Sequence, residues 1–124
     1  MSEALVPITR QELPAFLMNP PLSLSIEEPN NVWMHELPPS RRSVDRSRAL
    51  AQFVELYRFL AARSVVYLLP SREGLQDQTY VANLAVVLPH TEDQRVVVSN
   101  FRSPPRRGEQ EPGIDFFRDR RAHV

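Results

Sequence analysis

Apolar residues recur at helical spacing across the middle of the chain and predict one long helix from Ser43 to about Arg63. Ser43 is predicted to cap the first turn, because a hydroxyl there accepts a bond from an otherwise unpaired backbone N–H. The predicted buried face carries Leu50, Phe53, Tyr57, Leu60 and Ala61. We therefore expect this helix to pack on a sheet.

Shorter apolar patterns predict strands on both sides of that helix. Leu22, Leu24 and Ile26 alternate with polar residues, as in a half-buried strand. Three almost wholly apolar runs follow the helix, and the first is expected to be buried on both faces. We predict neighbouring strands of one mixed sheet at Val65 to Leu69, Thr79 to Leu88 and Val96 to Ser99.

The two ends of the chain are predicted to differ in structure. Residues 1–15 carry weak periodicity and two prolines, and are predicted to form a flexible arm before a domain of residues 16–124. A last helix is expected to begin near Pro105 or after Pro112, packing Ile114, Phe116 and Phe117. The order of elements places the chain in the α/β class.

Composition and charge remove several functional classes. The chain has 124 residues, and 15 basic residues balance 15 acidic ones, so no net field attracts nucleic acid or an anionic membrane. No apolar run approaches the ~20 residues of a membrane span, and the first residues lack the pattern of a signal peptide. We expect a cytoplasmic protein with no nucleic-acid or membrane partner.

The residue inventory limits the chemistry further. The chain contains no Cys and no Lys, which excludes a cysteine nucleophile, a thiolate metal site and a Schiff base formed by these residues. The three histidines, His35, His90 and His123, are too scattered for a metal-binding pair. No glycine-rich phosphate loop and no nucleophile elbow are present, and no cofactor is expected.

Asp77 and Asn83 are the first candidate site residues. Asn83 lies among the apolar residues of a predicted strand. Burying its side-chain amide there without a hydrogen-bond partner would destabilise the fold by ~1–3 kcal/mol. It is either a satisfied core amide or a residue that faces a substrate cavity. Asp77 is an even number of positions away, so an unbroken strand would place both side chains on one face.

Arginines form the second candidate group. Arg102, Arg106 and Arg107 would be able to clamp a carboxylate with paired N–H donors. The alternative is an exposed cluster at the start of the last helix, paired with Glu109 and Glu111.

Three segments of the chain carry motifs at characteristic spacings. Residues 75–87, LQDQTYVANLAVV, resemble the signature L-P-D-x-V-F-x-x-(N/D)-x-A-x-V. Pro20-Pro21, Glu27, Asn31 and Trp33-Met34 are similar to the pattern P-P-x-x-x-x-x-E-x-x-x-N-x-W-M. Residues 100–109, NFRSPPRRGE, are similar to R-F-R-H-P-E-R-R-G-E. Together these segments resemble the pentein superfamily, which contains amidinotransferases, dimethylarginine dimethylaminohydrolase, arginine deiminase and succinylarginine dihydrolase. The resemblance covers roughly residues 16–118.

The resemblance implies an α/β propeller of five ββαβ repeats around a central cavity for a guanidinium or amidine group, of which this chain would supply about two blades. Asp77 matches the family's acid and Asn83 a position that meets substrate, and the arginine cluster falls where the family binds the substrate's carboxylate. The family's catalytic His and Cys have no counterpart here. The resemblance therefore implies the N-terminal, truncated part of a guanidine-modifying hydrolase or amidinotransferase, inactive alone.

Two other functions stay open at this point. One alternative is a non-catalytic binding module on the same scaffold, and the other is a small protein that completes its sheet by oligomerisation. Incomplete closure is expected to leave Phe53, Tyr57, Phe116 and Phe117 partly uncovered. A homo-oligomer or a missing C-terminal partner would then cover them, and the full-length protein would bind a small guanidino or amidino compound.

Overall fold

The computed structural model describes residues 12–92 and 95–120. The strands are β1 (Ala15–Met18), β2 (Val65–Leu68), β3 (Ala85–Leu88) and β4 (Arg95–Val98), and the α-helices are α1 (Val32–Glu36), α2 (Arg46–Ala61) and α3 (Gln110–Asp119). Short 3-10 helices span Pro39–Arg41, Val81–Asn83 and Pro104–Glu109. The mixed α/β class expected from the sequence is confirmed.

The strands form two small sheets within the described ranges. β1 and β2 run parallel, with Ala15 opposite Val65, whereas β3 and β4 run antiparallel, with Val86 opposite Val97. The prediction of one sheet with three neighbouring strands is therefore wrong, because β2 pairs with β1 rather than with β3. Each sheet has a helix against it: α2 contacts β2, and α3 contacts β4.

The first strand of the described residues differs from the one that alternation predicted. Residues 22–26 contain no strand, and Leu22 is 59% exposed. Pro20 and Pro21 supply no backbone N–H, and the chain turns there through a bond from Leu22 N to Pro20 O. Of the predicted arm, residues 1–11 lie outside the described residues, whereas Ala15 already belongs to β1.

Helix α2 confirms the strongest sequence prediction, with two differences. Asp45, not Ser43, caps the helix, because its carboxylate accepts a 2.9 Å bond from the Arg48 N–H. The helix buries no residue fully. Of the predicted face, Phe53 and Leu60 are half-buried, whereas the others, Leu50, Tyr57 and Ala61, are exposed. The same holds for β2, which is half-covered rather than buried on both faces.

The hydrophobic core lies between the β3–β4 sheet, α3 and the end of β2. It consists of the buried side chains Leu69, Leu84, Val96 and Phe117. The Phe116 ring packs edge-on against Phe117 at 5.2 Å and against Tyr67 at 5.7 Å. Phe117 is only 4% exposed, so the expectation that it would be left uncovered is wrong. α3 turns this side chain inward onto Leu84, and the core forms from local elements.

None of the helices in residues 12–92 and 95–120 is long and apolar enough to cross a membrane.

Candidate functional site

A largely apolar groove of about 530 Å³ opens between β1, α2 and the 3-10 helix at Val81–Asn83. Met18 and Leu60 lie on its two walls, together with Phe53, and the polar side chains of Asn19 and Asn83 also line it. The groove exists because α2 contacts β2 but does not bury its side chains fully. It places Asn83 beside an accessible surface.

Asn83 is the last residue of a 3-10 helix and does not lie inside a strand. Its N–H donates to Tyr80 O at 3.1 Å, three residues back, and the next N–H, of Leu84, donates to Val81 O. This turn rotates Leu84 into the core and leaves Asn83 exposed. The predicted strand from Thr79 is therefore wrong over its first half, where local i to i−3 bonds replace sheet pairing.

The Asp77 side chain is buried away from solvent. It is 3% exposed, and its carboxylate accepts bonds from Asn30 Nδ2 and from Gln76 Nε2. Gln76 in turn exchanges two side-chain bonds with the backbone of Glu28. Asp77 thus ties the segment at 28–30 to the loop before Asn83. Since the intervening residues are not a strand, the prediction that Asp77 and Asn83 share one strand face is wrong.

Arg106 is the arginine of the predicted cluster that meets Asn83. Its NH1 donates to Asn83 Oδ1 at 3.1 Å, and its NH2 donates to Tyr80 O at 3.4 Å. Glu109 takes a paired contact, from Nε at 2.9 Å and from NH2 at 2.7 Å. The guanidinium carbon also lies 4.4 Å from the centre of the Phe101 ring.

These contacts decide what Arg106 can still bind. A guanidinium has five N–H donors in a planar fork, and four of the five are used inside the protein. The paired edge that would clamp a ligand's carboxylate is occupied by Glu109. In this arrangement Arg106 is a structural partner of Asn83, and the predicted bidentate clamp is not formed by it.

The other two arginines do not join this network. Arg102 is exposed, and Arg107 is exposed and lines a shallow depression along α3 beside Glu111 and Asp115. Of the two sequence interpretations, a cluster with acidic partners describes Arg106 and Glu109. The pair is not exposed, however, since Glu109 is 2% exposed.

Sequence reasoning missed Asn19, which lies at the end of β1. It is 1% exposed, and its Nδ2 donates to Leu69 O at 2.8 Å and to Ser71 Oγ at 3.3 Å. Its Oδ1 is buried and has no hydrogen-bond partner among the described residues. A polar residue directly after the apolar run at 15–18 was the available signal.

Over residues 12–92 and 95–120, no group of three or more His, Asp or Glu side chains is arranged to hold an ion.

Comparison with known proteins gives matches over most of the chain. No protein-family model matches it. An uncharacterised protein of Caenorhabditis elegans, ZK1307.1, is 32% identical over 103 residues, which is 82% of this chain. The crystal structure of AgrE with ornithine and NAD+ superposes on 89% of the chain with a TM-score of 0.76 and 30% identity. An AgrE variant in complex with L-arginine gives a TM-score of 0.75.

A further match is the N-terminal domain of a variant of ArgZ, an arginine dihydrolase from the ornithine-ammonia cycle in cyanobacteria, bound to its substrate. It covers 87% of this chain with a TM-score of 0.73 and 26% identity. The chain spans only part of each relative: 33% of the C. elegans protein, 15% of AgrE and 37% of the ArgZ domain.

Proposed function

Because the chain is pentein-like and matches the N-terminal portion of arginine-processing enzymes, we propose that it forms a substrate-binding part of a guanidine-modifying enzyme. The observation that carries this proposal is the similarity at 30% identity over 89% of the chain to AgrE, a variant of which has been crystallised with L-arginine. The ligand we propose is a small guanidino or amidino compound.

A repeated arrangement in the fold supports assigning about two propeller blades to the chain. The β1–β2 sheet lies against α2 and the β3–β4 sheet against α3, so a small sheet with its helix occurs twice. Asn83 belongs to the segment between the two sheets, and it lines the groove against α2. We propose this groove as the remnant of the ligand cavity.

The cysteine nucleophile that the resemblance implies is not among these 124 residues. The sequence contains no Cys, and covalent attack on a guanidinium carbon needs an activated nucleophile. Of the predicted site residues we retain Asn83 as the ligand contact, with Arg106 behind it. Asp77, Arg102 and Arg107 are assigned no direct contact in this proposal, because Asp77 is buried on neutral amides and the other two lie outside the Asn83 network.

Calorimetric titration of the chain with L-arginine tests the proposal, together with assays for released ammonia, ornithine, urea and dimethylamine. We expect saturable binding without turnover. Asn83→Ala is expected to weaken binding by about 1–3 kcal/mol, because one ligand group loses its partner. Val86→Ala, an exposed residue of β3, is the matched control and is expected to leave binding unchanged. Turnover by the Cys-free chain would overturn the mechanism, and an absence of binding would overturn the function.

A non-catalytic binding module is the second candidate, and the occupied fork of Arg106 favours it. A side chain whose donors are already used suits a fixed scaffold. We also propose that a second copy or a further segment covers exposed apolar residues such as Leu56 (52%), Phe59 (59%), Val86 (61%) and Val97 (59%). Light scattering after size-exclusion chromatography distinguishes a dimer from a monomer. The cytoplasmic location stays a prediction from the sequence.

A further inference from the structure

The β1–β2 sheet has one face beside its own helix and a second face directed away from it. Phe16 and Met18 lie on the face beside α2, where they line the groove. Leu17 and Tyr67 are partners in the parallel ladder, and strand alternation places both on the second face. The sheet therefore has a second apolar face to cover.

This second face packs on the helix of the other sheet. The Tyr67 ring meets Phe116 of α3 edge-on at 5.7 Å, and Leu17 packs against the core that contains Phe117. The guanidinium carbon of Arg120, four residues after Phe116, lies 5.0 Å from the centre of the Tyr67 ring and 5.5 Å from that of Phe116. The chain thus contains one complete interface between a sheet face and a helix with a Phe and an Arg four residues apart.

Helix α2 carries the same pair on an uncovered surface. The guanidinium carbon of Arg63 lies 4.6 Å from the centre of the Phe59 ring, again four residues apart and again at the C-terminal end of the helix. Phe59 is 59% exposed, and Leu56, nearly one turn earlier, is 52% exposed. Leu56, Phe59 and Arg63 form the α2 surface, which is the helix side of such an interface without a second sheet face on it among the described residues.

The β3–β4 sheet carries the other half. Val86 and Val97 lie opposite each other in the ladder and are 61% and 59% exposed, and they form the outer β3–β4 face. Val96, next to Val97, points to the opposite face and is buried in the core beside α3. The outer β3–β4 face therefore has the same position relative to α3 as the face with Leu17 and Tyr67 has relative to α2.

We propose that the outer β3–β4 face of one chain packs on the α2 surface of a second copy, head to tail, as Tyr67 packs on Phe116 within one chain. The occupant is a second copy because each chain carries both halves of the interface, uncovered, on different elements. The interface joins unlike surfaces, so every paired chain keeps one free half and assembly continues beyond a dimer unless a ring closes. This inference rests on the repeated sheet-and-helix units of the proposed function and names the partner of their uncovered surfaces.

One variant disables each half. Phe59→Asp places a charge on the α2 surface, and Val86→Asp places one on the outer β3–β4 face. Both positions are exposed, so circular dichroism and the urea midpoint should stay close to those of the wild type. Phe59→Ser and Val86→Thr repeat the test without a charge if either Asp variant loses its fold. Arg58→Asp is the matched control, because Arg58 is exposed and lies on the side of α2 opposite Leu56.

Size-exclusion chromatography with light scattering at increasing protein concentration measures the assembly. The wild type and Arg58→Asp are expected to form species heavier than the 14.3 kDa monomer, whereas Phe59→Asp alone and Val86→Asp alone should remain monomeric. Phe59→Asp keeps an intact outer β3–β4 face and Val86→Asp keeps an intact α2 surface. Their equimolar mixture should therefore form a heterodimer of about twice the monomer mass and grow no further.

The outcomes separate this inference from the proposed function. A wild-type chain that is monomeric at every concentration overturns the inference and leaves a further segment as the occupant. Assembly of either variant alone overturns it, because like surfaces would then pair, and a mixture that stays monomeric overturns the pairing of these two surfaces. L-arginine binding is measured separately by calorimetry: binding by a monomeric chain leaves the proposed function standing, and head-to-tail assembly without binding leaves the inference standing.

Discussion

Gly113 offers a test of the core in which two opposing effects have known sizes. It is the fourth residue of α3 and is buried against Leu84. A Cβ at this position would lie 2.8 Å, 3.0 Å and 3.1 Å from the Cδ1, Cδ2 and Cγ atoms of Leu84. Leu84 is itself 2% exposed in the core, so its side chain has little space into which it can move.

We expect Gly113→Ala to destabilise the protein by about 1 kcal/mol. Alanine is favoured over glycine inside a helix by ~1 kcal/mol. Crowding a packed core costs ~1–3 kcal/mol, and here the close atoms include the branch carbon of Leu84 as well as its methyl groups. Overpacking therefore exceeds the gain in helix propensity. Urea denaturation followed by far-UV circular dichroism measures the difference, since the exposed Trp33 is a poor fluorescence reporter.

A control and a double mutant make the reasoning testable. In Gly108→Ala the close contact is the Cδ2 atom of Leu75, the far end of a half-buried side chain, so this change should be nearly neutral. Leu84→Ala alone should cost ~2–5 kcal/mol. In that background Gly113→Ala should become stabilising, which gives a coupling energy of about 2 kcal/mol. The explanation is refuted if Gly113→Ala stabilises the wild-type protein or keeps its sign in the Leu84→Ala background.

Three further predictions concern stability. Phe117→Ala should lower the free energy of unfolding by ~3–5 kcal/mol, because the ring is 4% exposed in the core. Phe53→Ala should lower it clearly less, because Phe53 is half-buried beside the open groove. Equal losses of stability in thermal unfolding would contradict this ranking. Asp45→Ala should cost about 1 kcal/mol by leaving the Arg48 N–H without its cap, and an unchanged helix signal and urea midpoint would count against it. Arg72→Ala should change the free energy of unfolding by less than ~1 kcal/mol, since its ion pairs with α3 are exposed, and salt should reduce the effect further.

The sequence pattern predicted the elements that are stabilised locally. The α2 region has the length and spacing of an amphipathic helix, and β3 and β4 are apolar runs joined by a short connection. β1 was missed because it is four residues long and its partner strand lies far along the chain. Parallel pairing of distant segments leaves no local signal.

In the candidate site, too, only the features with a local sequence signal could be predicted. Asn83 was identified because a side-chain amide among apolar residues needs a hydrogen-bond partner, and in the structure that partner is Arg106. Its 3-10 conformation was not predictable, because the residues around it are the β-formers that also favour a strand. The role of Glu109 depends on its burial, which arises only when the last 3-10 helix packs beside Asn83, and charge patterning alone suggested an exposed residue.

The parallel pairing of β1 with β2 has a consequence for how the chain reaches its native state. The bond from Asn19 to Leu69 O joins residues 50 positions apart, whereas β3 and β4 are close neighbours in sequence. Closing the longer loop costs more entropy, so the hairpin and α3 should collapse first and β1 should dock last. A short strand that docks late is also an element that two chains can exchange. At high concentration during refolding, β1 is therefore the strand through which domain-swapped species should form.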